Sequence, residues 1–333
     1  MTERSDCRSD TRQFTHRPVM RDEVVAAFAG VPGGTIVDAT IGGGGHSEAL
    51  LDARCDVAVL GIDRDRKALD ASARRLQRFG HRVTVSHRSF DELTEALREA
   101  ALDTVSGVLF DLGVSSPQLD VAERGFSYQH QGPLDMRMDT TARGSADDVV
   151  NGYDETQLAT VLRRYGDERY ARRIAAAIIA ARPLETTTEL AAVVTSAIPA
   201  PARRRGGHPA KRSFQAIRIE VNAELSTLPA ALDAAIDATT PGGRVAVLSY
   251  HSGEDRIVKQ RFRLATGACD CPAPLPCVCG AVQTVRIVRG VPRRPSDAEV
   301  VMNRRAASAR LRVVERLAAD PAGPADPAPQ GAR

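Results

Sequence analysis

The stretch from Thr35 to Asp63, TIVDATIGGGGHSEALLDARCDVAVLGID, limits the possible folds more than any other part of the chain, because it reads as strand, glycine turn, helix, strand. The β-branched run from Thr35 to Thr40 leads into Gly42, Gly43, Gly44 and Gly45, where backbone can approach a ligand without a Cβ in the way. A helix from His46 follows, then a second apolar run from Val57 to Ile62. That run ends at Asp63, roughly 20 residues past the glycines, the offset at which an acidic side chain meets a ribose hydroxyl pair. A bare glycine run is more often a flexible turn. With a strand on each side and an acid at the second strand end, it becomes a nucleotide-cofactor half-site whose two strand ends face one crevice.

The half-site lacks a G-x-G-x-x-G leading straight into a helix, the arrangement that seats a pyrophosphate on a helix N-terminus, and His46 crowds that position. A cofactor with an adenosine and no pyrophosphate fits better. The expectation is S-adenosylmethionine rather than NAD.

At 333 residues and 43% hydrophobic, the chain can bury one large core or two modest ones. No apolar run approaches the roughly 18 residues of a membrane span, and MTERSDCRSDTRQ is too polar for a signal peptide, so a cytoplasmic protein with no membrane partner is expected. A net charge of +3 means that affinity for a polyanion has to come from local clustering of the 45 Lys and Arg. Four of the six cysteines form a tight group, Cys269, Cys271, Cys277 and Cys279, as two C-x-C pairs. Zinc is one reading of the group; a redox pair or four incidental thiols are the others, and C-x-C is less usual than the C-x₂₋₄-C of structural zinc sites.

Along the chain, residues 1–13 are polar and expected to be disordered, and His16, Pro18 and Val19 precede a short amphipathic helix. Helix Arg66 to Phe79 and strand Arg82 to Ser86 follow the half-site. Phe90 sits past that strand, where an aromatic either covers an adenine or belongs to the core. Helix Asp91 to Ala101 leads to strand Gly107 to Phe110, which ends in Asp111. Residues 112–139 show Gly, Pro and Ser punctuation without a period and read as a long ordered loop, the kind that carries function at strand ends. From Ser145 to Ile198 the pattern is helical. The roughly 90 residues before the next strand exceed one crossover helix, which implies an inserted all-helical domain. One long helix, Phe214 to Thr239, is expected to return to the sheet, followed by a strand in PGGRVAVLSYHS and helix Glu254 to Leu264. Strand Thr284 to Val288 and SARLRVVER are expected to pair antiparallel at the sheet edge. The domains so read are a disordered N-terminus (1–13), a discontinuous sheet domain (14–120 and 214–316), a helical insert (121–213) and a low-complexity disordered tail (317–333).

The segments HRPVM, DATIGGGGHS, GIDRD, DLGVSSPQLD, RGFSY, GPLDMRMD, RSFQAIRIEVNAEL, LSYHSGEDRIVK and NRRAASARLRVVER, in this order over about residues 14–316, resemble the ribosomal RNA small subunit methyltransferase H family. The resemblance implies a class I S-adenosylmethionine-dependent methyltransferase fold, an α/β Rossmann-like fold with a mostly parallel seven-stranded sheet and an inserted all-helical domain. It also implies methyl transfer to the exocyclic N4 of a decoding-centre cytidine in small-subunit (16S) ribosomal RNA. The family's cofactor contacts fall on Gly44, Gly45, His46, Asp63, Phe90, Asp111 and Gln118. Tyr250 and Gly253 stand where a Phe and a Leu are usual, and NRRAASARLR lacks the usual Asn-Pro opening.

The chemistry implied by that resemblance sets further expectations. A sulfonium is already primed to lose methyl, so the protein's main work is in-line positioning and no metal is required. The N4 lone pair is delocalised into the ring, so an acceptor must hold the amino hydrogens as the nitrogen becomes tetrahedral. Asp111, or main-chain carbonyls of the Ser115, Ser116, Pro117 turn, take this catalytic role by analogy with amino-methylating enzymes. The target base must leave its stack, which single-stranded RNA makes cheap. Arg163, Arg164, Arg169, Arg172 and Arg173 on the inserted helices, with Arg203, Arg204, Arg205, Lys211 and Arg212 in the following loop, form a candidate phosphate-binding surface; a solvated charged face is the plainer reading. An NAD-dependent oxidoreductase would share the half-site. A non-catalytic RNA-binding assembly factor would share the basic insert but has no need of Asp63 or the SSPQ loop.

Overall fold

The apolar runs become the seven strands of one sheet: β1 (Gly34–Asp38), β2 (Val57–Asp63), β3 (Val83–His87), β4 (Val105–Asp111), β5 (Thr239–Ser249), β6 (Val285–Ile287) and β7 (Arg310–Arg316). The computed structural model describes residues 18–204, 207–269, 271 and 280–318, with 116 and 117 described by their backbone alone. The spatial order is β3-β2-β1-β4-β5-β7-β6. Neighbours from β3 to β5 are parallel, and β7 runs antiparallel to both β5 and β6. The sheet is thus seven-stranded and mostly parallel, as the resemblance implies. The chain steps outward from β1 to β3, then crosses back to β4 on the other side of β1. Such a reversal opens a crevice at the carboxyl ends of β1 and β4.

Alternation along the strands sorts side chains to two faces. Ile36, Leu109, Ala246 and Leu248 pack with Val24 and Phe28 of α1 (Arg21–Phe28) and Leu50 of α2 (Gly45–Ala53). Val37, Phe110 and Val247 face the other way, onto Leu93 and Leu97 of α4 (Leu93–Glu99), Leu228 and Leu232 of α11 (Glu224–Ala238) and Val258 of α12 (Ser252–Ala265). Between α2 and the outer strands, α3 (Arg66–Leu76) buries Leu69 and Leu76 against Ile41 and Val59.

The segment after β4 carries a short helix, α5 (Ser116–Asp120), and a 3-10 turn at Ala122–Arg124. Next come α6 (Glu155–Gly166), α7 (Ala171–Ala181), α8 (Thr187–Ala197), α9 (Ala200–Arg203) and α10 (Lys211–Asn222), with no sheet strand among the described residues between them. These helices have their own core, including Phe126, Met136, Leu158, Leu162, Ile174, Leu190, Phe214 and Ile217. Gly166 lets α6 approach α10: a Cβ there would lie 2.7 Å from the Arg212 carbonyl.

The single helix expected from Phe214 to Thr239 is two helices. Ala223 adopts the left-handed conformation (φ 51, ψ 27) and separates α10 from α11. Asn222 supplies the cause, since its Oδ1 accepts from the Met138 N–H at 2.8 Å and its Nδ2 donates to the Met136 carbonyl at 2.7 Å. Arg218 then pairs with Glu224 across the break through two bonds of 2.8 Å. Phe214 and Ile217 face the helical core while Leu228 and Ile236 face the sheet. The buried residues therefore divide at Ala223, not between 213 and 214.

At the far edge β6 and β7 pair antiparallel, with α13 (Asp297–Met302) between them in sequence. Leu317, placed in the tail by composition, extends this edge by donating its N–H to the Thr284 carbonyl at 2.9 Å. Residues 1–13, His16 and the tail beyond 318 lie outside the described residues. Among the described residues no helix is long and apolar enough to cross a membrane.

Candidate active site

The crevice at the carboxyl ends of β1, β2 and β4 is a cavity of about 650 Å³, within the usual range for a small-molecule site. Gly42, Gly43, Gly45, His46, Asp63, Phe90, Asp111, Ser115, Gln118, Lys211 and Tyr250 are among its lining residues. The glycines of the turn have different reasons to be glycine. Gly43 opens onto the cavity, where a Cβ would meet nothing within 4 Å, whereas a Cβ on Gly45 would lie 2.5 Å from Pro18 Cγ. Gly44 has φ 76 and would press a Cβ to 3.2 Å from Leu76 and Ser72, so it serves the packing of α3 behind the turn and does not line the cavity.

Asp63 ends β2 with both oxygens engaged: Oδ2 accepts from the Gly42 N–H at 2.9 Å and Oδ1 from the Asp65 N–H at 2.8 Å. Burial raises its carboxyl pKa, against the pull of those two N–H groups. The acid thereby locks the glycine turn to the second strand while presenting its remaining lone pairs to the cavity. Phe90 belongs to the core and also borders the cavity. It is 7% exposed and edge-on to Phe110, with ring centroids 6.1 Å apart, and it also lines the cavity with the Arg64 guanidinium 5.5 Å from its ring centre.

Asp111 ends β4, where its N–H donates to Thr40 Oγ1 at 2.6 Å. Its Oδ1 accepts from the Tyr250 hydroxyl at 2.6 Å, and its Oδ2 lies 3.5 Å from His46 Nε2. That last contact lacks hydrogen-bond geometry, so both ring nitrogens of the buried His46 are without a hydrogen-bond partner among the described residues. Buried polar atoms are seldom left so. An imidazole held in this state on a cavity wall suits a polar ligand. Burial and the Asp111 carboxylate push the Tyr250 phenol well above its ordinary pKa, so it remains a donor.

Three participants were not picked out from sequence. Asp38, at the end of β1, is fully buried, accepts from Ser47 Oγ at 2.6 Å, and has a pKa raised to about 6, chiefly by burial. Its signal was an acid closing an apolar strand just before the glycines. Asp65 and Arg124 form the other feature: Arg124 Nη1 donates to Asp65 Oδ2 at 2.8 Å. Gln118, expected to touch the cofactor, braces the same pair, its Nε2 donating to Asp65 Oδ2 at 3.1 Å and its Oε1 accepting from the Ser115 N–H at 3.0 Å. Ser116 and Pro117 contribute the backbone that opens α5. At Gly253 a Cβ would lie 3.1 Å from both Leu225 and His251, so their packing leaves little room for a larger residue.

The candidate phosphate ligands separate. Arg163, Arg164, Arg169, Arg172 and Arg173 are exposed on and between α6 and α7, away from the cavity lining. Lys211 is exposed and lines the cavity, and its neighbour Arg212 is exposed with Nη1 3.4 Å from the Asp167 carbonyl. Arg203 donates through Nε to the Ile198 carbonyl at 2.6 Å, closing the end of α8. Arg204 is exposed, and Arg205 lies outside the described residues. Cys277 and Cys279 also lie outside them, while Cys269 Sγ accepts from the Cys271 N–H at 3.0 Å. Among the described residues no three His, Cys, Asp or Glu side chains are placed to hold a metal.

Residues 13–317 match the MraW methylase family. A protein named ribosomal RNA small subunit methyltransferase H from Symbiobacterium thermophilum is 49% identical over 311 residues, covering 92% of this chain and 98% of the relative. Proteins of the same name from Nocardioides sp. (52% over 310 residues; 91% and 97% covered) and Geobacter sulfurreducens (48% over 309 residues; 91% and 99% covered) are similar throughout.

Proposed function

Because the chain belongs to the MraW methylase family, we propose that it is a 16S rRNA (cytosine-N4)-methyltransferase that uses S-adenosylmethionine in the cytoplasm. The supporting observation is the crevice itself: a glycine turn locked to an acid at the end of β2, facing a second acid at the end of β4 beside an imidazole whose nitrogens have no hydrogen-bond partner among the described residues. The residues present fit an adenosine-bearing donor. Gly43 leaves space for close approach, Asp63 offers lone pairs to ribose hydroxyls, Phe90 with Arg64 presents an apolar and cationic surface, and His46 has ring nitrogens to share.

When bound, S-adenosylmethionine supplies a methyl group already activated on a sulfonium. The protein then orients the cytosine amine. Asp111 Oδ2, or the backbone carbonyls of Ser115, Ser116 and Pro117, accept from the N4 hydrogens and favour the tetrahedral nitrogen over the delocalised one. Residues Phe126 to Asn222 form the RNA-recognition unit in this reading. Lys211 sits at the cavity, and the exposed arginines of α6 and α7 extend the positive surface outward.

The test is labelled methyl transfer to small ribosomal subunits and to free RNA, followed by nucleoside analysis. Label on a cytidine N4 is expected. Label on C5 or a ribose oxygen would refute the specificity, and no incorporation would leave an assembly factor without catalysis.

A further inference from the structure

Tyr250 follows the last residue of β5 and reaches across to the end of the neighbouring β4. Its backbone is fixed, since its N–H donates to Glu254 Oε2 at 2.7 Å in the first turn of α12. The ring packs against the sheet core and lies 3.5 Å from the Cβ position of Gly113, in the loop that leaves β4. From this fixed place the hydroxyl donates to Asp111 Oδ1 at 2.6 Å. Among the described residues no other side chain donates a hydrogen bond to that carboxylate; Oδ2, 3.5 Å from His46 Nε2, is left without one.

A carboxylate turns easily about its last torsion, because that well is broad and twofold. One short hydrogen bond to one oxygen selects an orientation and makes the two oxygens unequal. We propose that Tyr250 is a positioning residue for methyl transfer, whose hydroxyl occupies Asp111 Oδ1 and so holds Oδ2 as the free acceptor for the target amine. This rests on the reading of Asp111 as that acceptor. The ring has a separate task in packing, and only the hydroxyl carries the orienting function. Tyr250→Phe removes one without the other.

The experiment compares wild type, Tyr250→Phe, Asp111→Asn and the double variant in single-turnover methyl transfer to small ribosomal subunits, with both substrates saturating to isolate the step from binding. Tyr250→Phe is expected to slow the step about 5- to 20-fold, with S-adenosylhomocysteine affinity by calorimetry within about twofold and the melting temperature retained. Asp111→Asn is expected to slow it roughly 10²- to 10³-fold. Added to Asp111→Asn, the second change should cost less than about twofold, because no carboxylate remains to orient. A slow Asp111→Asn with a Tyr250→Phe rate within twofold of wild type would overturn the proposal. So would equal slowing by Tyr250→Phe in both backgrounds, which would mean that the hydroxyl acts independently of Asp111. An Asp111→Asn rate within threefold of wild type would instead remove the acceptor reading itself, and the proposal with it.

Discussion

Arg124 and Asp65 form an ion pair at 2.8 Å with side chains only 9% and 7% exposed. Arg124 also donates to the carbonyls of Arg137 and Met138, and Asp65 caps α3 by accepting from the Lys67 N–H. The pair thus ties the loop after β4 to the end of β2. Removing one partner of a buried pair strands the other charge, so Arg124→Ala is expected to cost about 3 to 5 kcal/mol in denaturant unfolding. A loss below about 1 kcal/mol would show that water replaces the guanidinium.

Asp38 should give stability a pH dependence of definite sign. Its pKa is raised from 3.8 to about 6. A carboxyl raised in the native state stabilises the fold when protonated. The contribution is full below about 3.8 and is lost as pH rises through about 6, on the order of 3 kcal/mol in all. Asp38→Asn removes that loss. Relative to wild type, its melting temperature should rise across pH 4 to 7 and stay higher above pH 7; a constant difference would show that Asp38 does not titrate there. Asp63, raised by burial as well, adds a slope of the same sign that both proteins share.

Asp63→Ala should weaken S-adenosylhomocysteine binding by about 1.5 to 3 kcal/mol in calorimetry, the range for a hydrogen bond to a charged group. Part of that loss comes from the glycine turn, since the Gly42 N–H loses its acceptor. Asp63→Asn keeps one acceptor oxygen and should lose less than the alanine variant. Unchanged affinity in a folded alanine variant would leave Asp63 as a brace for the turn alone.

The basic residues at the end of α9 and the start of α10 should divide into two kinds. Lys211→Ala with Arg212→Ala is expected to weaken RNA binding and flatten the log–log salt slope by about 1.4, at about 0.7 per single-strand phosphate contact. Arg203→Ala should leave the slope unchanged and cost about 1 kcal/mol of stability, because its Nε bonds the Ile198 carbonyl at the end of α8. The opposite pattern would place the phosphate on Arg203.

Local sequence made the sheet legible wherever a strand is a run of β-branched residues closed by an acid or a glycine. Asp63, Phe90, Asp111 and Gln118 meet at one cavity because each sits at or just past a strand end. What stayed hidden depends on partners distant in sequence. Nothing in RSFQAIRIEVNAEL announces a stop, since alanine is the best helix former; the stop comes from Asn222 bonding backbone at Met136 and Met138. The Tyr250 hydroxyl and the Asp111 carboxylate are 139 positions apart, and Arg124 and Asp65 are 59 apart. Arg203 illustrates a further limit. An arginine run looks the same in sequence whether a guanidinium meets a phosphate or a carbonyl at the end of the preceding helix.

Ala223 is the entire connection between α10 and α11, and it leaves no slack. Asn222 on one side is bonded into the helical core, and Glu224 on the other is 7% exposed and bonded back to Arg218. Two domains joined by a loose tether melt separately. Here the helices cannot loosen without straining α11, whose Leu228 packs on the sheet, so this junction should couple the two cores alongside the Arg124–Asp65 pair. Calorimetry should therefore record one endotherm, with calorimetric and van't Hoff enthalpies in agreement, from a chain that contains separate hydrophobic cores.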